Sequence, residues 1–153
     1  MGERYPRLEI NLAHLKHNVV KVVEKCGDMG IQVAGVIKGA TGLPEVAKAF
    51  DEGGAAFIAS SRLEQLEDAK NAGIQKPLML IRIPMRSEVE DVIRLTDISL
   101  NSELVVLEAL DAEAKRQSKV HQVILMADMG DLREGYWDKE EMADVAVYVE
   151  KKL

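Results

Sequence analysis

Short apolar runs rich in Val, Ile and Leu alternate along this chain with longer segments of helical period. That alternation confines the fold to repeated βα units around a parallel, fully buried sheet. Strands are predicted over residues 33–38, 55–60, 77–83, 97–101 and 120–128. A helix over 12–26 comes before them, with Leu12, Leu15, Val19, Val22 and Val23 on one face and Gly27 beyond its end. Three later helices carry a side-chain oxygen for capping and a carboxylate three residues on: Ser61 with Glu64, Ser87 with Glu90, and Asp138 with Glu141. Pro44 fits a first helical turn, where its missing N–H costs nothing, and Gly53 fits that helix's end.

Five βα units fit either an open doubly wound sheet or part of a closed barrel, and pattern alone does not choose between them. A full eight-stranded barrel typically needs about 250 residues. The 153 residues here have room for little more than half of one. The composition, 47% hydrophobic and 30% charged, is that of a chain that buries a core. A net charge of −6 leaves no surplus of Lys and Arg to neutralise phosphates, which argues against nucleic acid or an anionic membrane as partner. Small polar metabolites and protein partners remain. One cysteine, Cys26, forms no internal disulfide and fits a reducing, cytoplasmic setting. The first residues lead into no apolar signal stretch, and no run is long enough to cross a bilayer.

In both architectures ligands bind beyond the carboxyl ends of the strands. Those ends are Lys38, Ser60 and Ser61, Arg82 to Pro84, Asn101 and Ser102, and Asp128 to Gly135. Lys38 closes an apolar run, where poor solvation would lower its pKa and free an amine to attack a carbonyl; the alternative is a lysine that snorkels to water. Gly39, Ala40, Thr41 and Gly42 follow as a small-residue loop that lets a flat ligand approach the backbone. Ser60 is placed either to bond near such a ligand or to serve the fold. Arg133 is read with equal weight as a carboxylate-orienting group or as an ion-pair partner of Asp128, and Asp128 as a residue fixing the Gly130 turn or touching ligand. His14 and His17, three apart with no third ligand in view, read as a surface helix, and Tyr136 and Trp137 as packing for the fifth loop.

Four segments in order resemble the barrel-type, pyridoxal-phosphate-dependent amino-acid racemases, the alanine racemase family. They are Glu9-Ile10-Asn11-Leu12 with Leu15 and Asn18; Val36-Ile37-Lys38; Gly54-Ala55 with Phe57, Ser60, Glu64, Leu66, Ala72-Gly73 and Ile74; and Asp128-Met129-Gly130-Asp131-Leu132-Arg133-Glu134-Gly135. The stretch after Lys38 departs from the tyrosine and histidine-glycine usual in alanine racemases and, with the last segment, looks more like the ornithine racemase branch.

The resemblance implies an α/β fold, the N-terminal portion of a TIM-type barrel, with residues 1–153 forming part of the cofactor-binding domain and the second, C-terminal domain lying outside them. It implies that Lys38 holds pyridoxal phosphate as a Schiff base and acts as one of two bases at the substrate Cα. Ser60 would lie near the cofactor, and Arg133 would orient the substrate carboxylate. A basic substrate such as ornithine would want a carboxylate for its far ammonium, and Asp131 or Glu134 offers one. The family's second base is a tyrosine of the second domain, which none of Tyr5, Tyr136 and Tyr148 matches. The family's phosphate-binding loops also fall outside this sequence, so the chain alone is expected to be a poor catalyst and, like the family, to form homodimers. The rival expectation is a single-domain pyridoxal-phosphate carrier without catalysis, which normally lacks the Glu9-Ile10-Asn11-Leu12 opening.

Overall fold

The sheet order settles which of the two architectures the chain adopts. In the computed structural model, which describes residues 5–153, five parallel strands lie side by side in chain order. They are β1 (Ala34–Val36), β2 (Phe57–Ser60), β3 (Leu78–Leu80), β4 (Ile98–Asn101) and β5 (Gln122–Leu125). A doubly wound sheet reverses its strand order at a switch point; a barrel wall does not. This sheet is the wall of a barrel.

Six helices accompany the strands: α1 (Leu12–Gly27), α2 (Pro44–Glu52), α3 (Leu63–Asn71), α4 (Val89–Leu95), α5 (Leu104–Arg116) and α6 (Lys139–Lys152). The large core lies between helices and sheet, where Ile58, Leu78 and Leu80 of the strands meet Leu66, Val92, Ile93 and Leu110 of the helices. On the other face, alternate strand residues Ala59, Met79 and Ile98 gather with Ala34, Phe57 and Ile81. That second face is the inner, lumen side. Side chains of the outer strands are open there, with Val36 41% and Ile124 44% exposed.

The strands are shorter than the apolar runs, because the ends of the runs bond without strand geometry. Val33 O still accepts from Ala56 N at 2.8 Å, Ile37 N donates to Ala59 O at 2.9 Å, and Met126 N donates to Asn101 O at 2.9 Å. Pro44 opens α2 as expected, and Asp138 caps α6 by accepting from the Glu140 and Glu141 amides. The other two expected caps are replaced by neighbours. Ser60, not Ser61, accepts the Arg62 amide ahead of α3. Glu88 takes the Met85 amide in a short 3-10 turn that precedes α4, leaving Ser87 no such role.

The apolar stripe of α1 is only partly used. Val19 is buried against Gly53, whereas Leu12 and Val22 stay exposed, because α1 packs on α2 at the sheet's first edge. His14 and His17 are exposed on the same helix. Tyr136 is buried as expected, but Trp137 is 69% exposed and packs no loop. No helix among the described residues is long and apolar enough to cross a membrane.

Candidate active site

Parallel pairing places the carboxyl ends of all five strands along one rim of the sheet. Lys38 stands at one extreme of that rim and the loop after β5 at the other, because β1 and β5 are the two outer strands.

Lys38 begins a 3-10 turn directly after β1, and its carbonyl accepts from Thr41 N at 3.1 Å. The turn folds tightly because Thr41 adopts the left-handed region, φ 53°, and Gly42 follows at φ 78°. A Cβ at Gly42 would lie 2.5 Å from the Gln65 side chain, so the backbone there packs against α3 with no room to spare. Lys38 itself is exposed. Of the two readings of Lys38, the lysine open to water is the one found, and β1 has a neighbouring strand on one side only.

Ser60 is fully buried and its hydroxyl is already engaged. It donates to Gln65 Oε1 at 2.6 Å and accepts from Arg62 N at 3.2 Å, tying the end of β2 to α3. That arrangement commits the hydroxyl proton of Ser60 to the fold, in line with one of its two readings. Gln65, which the sequence reading did not single out, is the residue that decides this.

The loop after β5 is closed at its neck by two backbone bonds, Tyr136 N to Met126 O at 2.7 Å and Asp128 N to Tyr136 O at 2.9 Å. Inside the neck, Asp128 Oδ1 accepts from Gly130 N at 2.7 Å and from Leu132 N at 3.2 Å. The Gly130 amide, with those of Leu132 and Asp131 behind it, holds the Asp128 carboxyl below the usual range. Asp128 thus fixes the turn, as one of its two readings proposed. The ion pair between Asp128 and Arg133 is not formed. Arg133 is exposed at the loop's crest, with Nη2 3.8 Å from Glu134. Asp131 is exposed beside it, and Glu134 is half-buried.

Arg82 links the middle of the rim. Its Nε donates to Ser61 O at 2.7 Å and its other nitrogens to Glu88 at 2.8 Å, joining the ends of β2 and β3 to the turn before α4. Arg82 was among the strand-end residues but had no role from sequence. A Glu six positions on was the available signal.

Residues 10–152 match the family described as alanine racemase, N-terminal domain. The chain belongs to this family. It is 40% identical over 140 residues to an ornithine racemase of Acetoanaerobium sticklandii, covering 92% of this chain and 39% of that protein. It is 35% identical over 142 residues to a lysine racemase of Thermotoga maritima, covering 93% and 40% respectively. The alanine racemase of Clostridium difficile 630 superposes with a TM-score of 0.79 at 23% identity, over 92% of this chain and 37% of that one. This member of the alanine racemase family thus spans about two fifths of the length of the relatives it matches.

Proposed function

We propose that this chain forms the first five βα units of a pyridoxal-phosphate-dependent racemase that acts on a basic amino acid. The observation that carries the reading is the placement of Lys38 just after β1 and of Arg133 after β5 in a wall whose strands run in barrel order. In a ring of eight strands the first and fifth stand half a turn apart, so the two side chains would face each other across the mouth. The similarity to ornithine and lysine racemases supports a basic substrate.

The residues present fit the aldehyde end of the cofactor. The Lys38 amine is exposed, and the turn after it, Gly39 to Gly42, carries small side chains beside which a flat ring can lie. When bound, pyridoxal phosphate supplies an electron sink that makes the substrate Cα–H acidic. Lys38 would hold the cofactor and, when displaced by the substrate amine, take or return the Cα proton on one face. Arg133 would orient the substrate carboxylate through its paired N–H groups. Asp128 fixes the loop from which Arg133 projects. Asp131 would receive the far ammonium. Tyr148 donates its hydroxyl to Glu108 at 3.1 Å on the helical side, so the base for the opposite face is assigned to a group outside these residues.

The test is incubation with pyridoxal phosphate, borohydride reduction, intact mass and peptide mapping. A single pyridoxyl group on Lys38 is the expected result. No adduct, or adducts scattered over surface lysines, would overturn the assignment.

A further inference from the structure

The turn that carries Lys38 is held at two points. At its start Ile37 is fully buried, and its amide donates to Ala59 O at 2.9 Å. At its end Gly42 is buried, whereas Gly39 and Thr41 between them are exposed. Backbone bonds of 3.1 Å run within the turn, from Ala40 N and Gly42 N to Ile37 O, from Thr41 N to Lys38 O and from Leu43 N to Ala40 O. Thr41, at φ 53°, works against them, because a β-branched side chain is strained in the left-handed region. A support outside the turn offsets that strain.

Gln65 is placed to be this support. It lies in the first turn of α3, and helical side chains lean back toward the helix N-terminus, so it reaches over the end of β2. Its carbons press on Gly42, where an added Cβ would meet Cγ at 2.5 Å, Cβ at 2.6 Å and Cδ at 2.9 Å. The far end of Gln65 is fixed as well. Ser60 Oγ accepts from Arg62 N and sends its own proton to Gln65 Oε1, 2.6 Å away. Ser60 is fully buried at the end of β2, so Gln65 is anchored to the sheet. It joins the end of β2 to the turn after β1, beyond the last bond between those strands, Ile37 N to Ala59 O.

Lys38 depends on that anchorage. Its side chain is a flexible stem that makes no hydrogen bond or ion pair among the described residues, so the backbone of the turn alone sets where the amine stands.

We propose that Gln65 is a positioning residue for the Lys38 amine: pinned by Ser60, it holds Gly42 and with it the turn from which Lys38 projects. The assignment rests on the role proposed above for Lys38.

The test compares wild type with Gln65→Met and Gln65→Glu. Methionine keeps the length of the side chain but is only a weak acceptor, whereas glutamate restores an acceptor for the Ser60 hydroxyl in a helical first turn that tolerates its charge. Gln65 is half-buried, so both variants keep the fold. Amide hydrogen exchange of the chain without cofactor is read at Ala40, Thr41, Gly42 and Leu43. Pyridoxal phosphate with borohydride then gives the yield of pyridoxyl adduct on Lys38 relative to Lys139, an exposed lysine at the start of α6. In Gln65→Met the four amides should exchange about fivefold faster, the worth of one hydrogen bond, with those of β2 and β3 unchanged. The ratio of Lys38 to Lys139 adduct should fall by a similar factor, and Gln65→Glu should return both readouts to within about twofold of wild type. A merely structural role would change stability without moving the ratio.

Unchanged exchange in Gln65→Met overturns the proposal. So does a loosened turn with an undiminished adduct ratio, or a Gln65→Glu variant that restores neither readout. A wild-type ratio no higher than that of other exposed lysines would overturn the role of Lys38 itself and the positioning role with it, and the wild-type measurement tells that failure from the others.

Discussion

Arg82 holds Glu88 in a two-pronged grip, Nη1 to Oε2 and Nη2 to Oε1, each 2.8 Å long. Both side chains are mostly shielded, 23% and 29% exposed, and the pair locks the ends of β2 and β3 to the turn before α4.

The grip makes stability depend on acid. Arg82 holds the Glu88 carboxyl below the usual range, against burial, with help from the Met85 amide. A depressed carboxylate stabilises fully above its unfolded value of about 4.3, and the stabilisation is lost as pH falls through the lower folded value. Glu88→Gln should cost about 1 kcal/mol at neutral pH, partial exposure having reduced the effect. The difference from wild type should shrink toward pH 3, measured as urea midpoints. An undiminished difference at pH 3 would show that the charge on Glu88 is not what stabilises.

The loop bearing Arg133 depends on one position. Gly135 has φ 121°, and a Cβ there would lie 2.5 Å from the Asp128 nitrogen and 2.7 Å from the Ala127 carbonyl carbon. Both are backbone atoms of the loop's own neck, so neither can swing aside. Gly135→Ala should destabilise by at least about 2 kcal/mol. Trp137, the only tryptophan, reports the change by fluorescence two residues away. An unaltered emission spectrum and midpoint would contradict the tight neck.

What the sequence reveals and what it hides follow from the range of each interaction. The five strands are legible because each lies in a short apolar run, although only β2, β3 and β4 are largely buried, and Pro44 and Asp138 act within one helical turn. The solvation of Lys38 is not legible, because it depends on what flanks β1 and not on the run that leads to it. The caps before α3 and α4 moved by one residue to Ser60 and Glu88, since several oxygens compete for the same amide and tertiary packing chooses among them. Ser60 looks like a rim hydroxyl until Gln65, five residues on, is seen to accept from it. Asp128 and Arg133 carry opposite charges in one loop, yet the carboxylate is satisfied by backbone amides before the guanidinium can compete.

His121 supplies a second pH response, on the helical side of the sheet. Its Nε2 lies 2.8 Å from Ser99 Oγ, and Ser99 in turn accepts from Asn101 Nδ2 at 3.0 Å. Burial pushes His121 below its usual range, and the Thr96 backbone and Asp97, which pull the other way, do not restore it. Its unfolded value is about 6.5. With the folded value depressed, stability is full above that pH and declines as pH falls from it toward the folded value, because the unfolded chain takes up the proton first. Wild type should lose stability over the interval below about pH 6.5. His121→Gln, which cannot titrate, should flatten that interval in thermal melts while lowering the melting temperature at pH 7.5. A slope that persists in the variant would assign it to other groups.

The proposed preference for a basic substrate rests on the acids that flank Arg133. Asp131 is exposed, whereas Glu134 is half-buried and faces Arg133 at 3.8 Å, so Asp131 is the freer partner for a distant ammonium. Asp131→Asn should slow Cα deuterium exchange of ornithine about tenfold, the worth of one charge-assisted contact, and that of alanine by less than about twofold. Glu134→Gln should have the smaller selective effect, because its charge is shared with Arg133. Exchange is followed by proton NMR in deuterium oxide with pyridoxal phosphate present. Where exchange is slow, the same comparison is read from the ornithine and alanine concentrations that perturb the absorbance of the bound cofactor. An equal loss for both amino acids would mean that Asp131 serves the loop and not the substrate's far end.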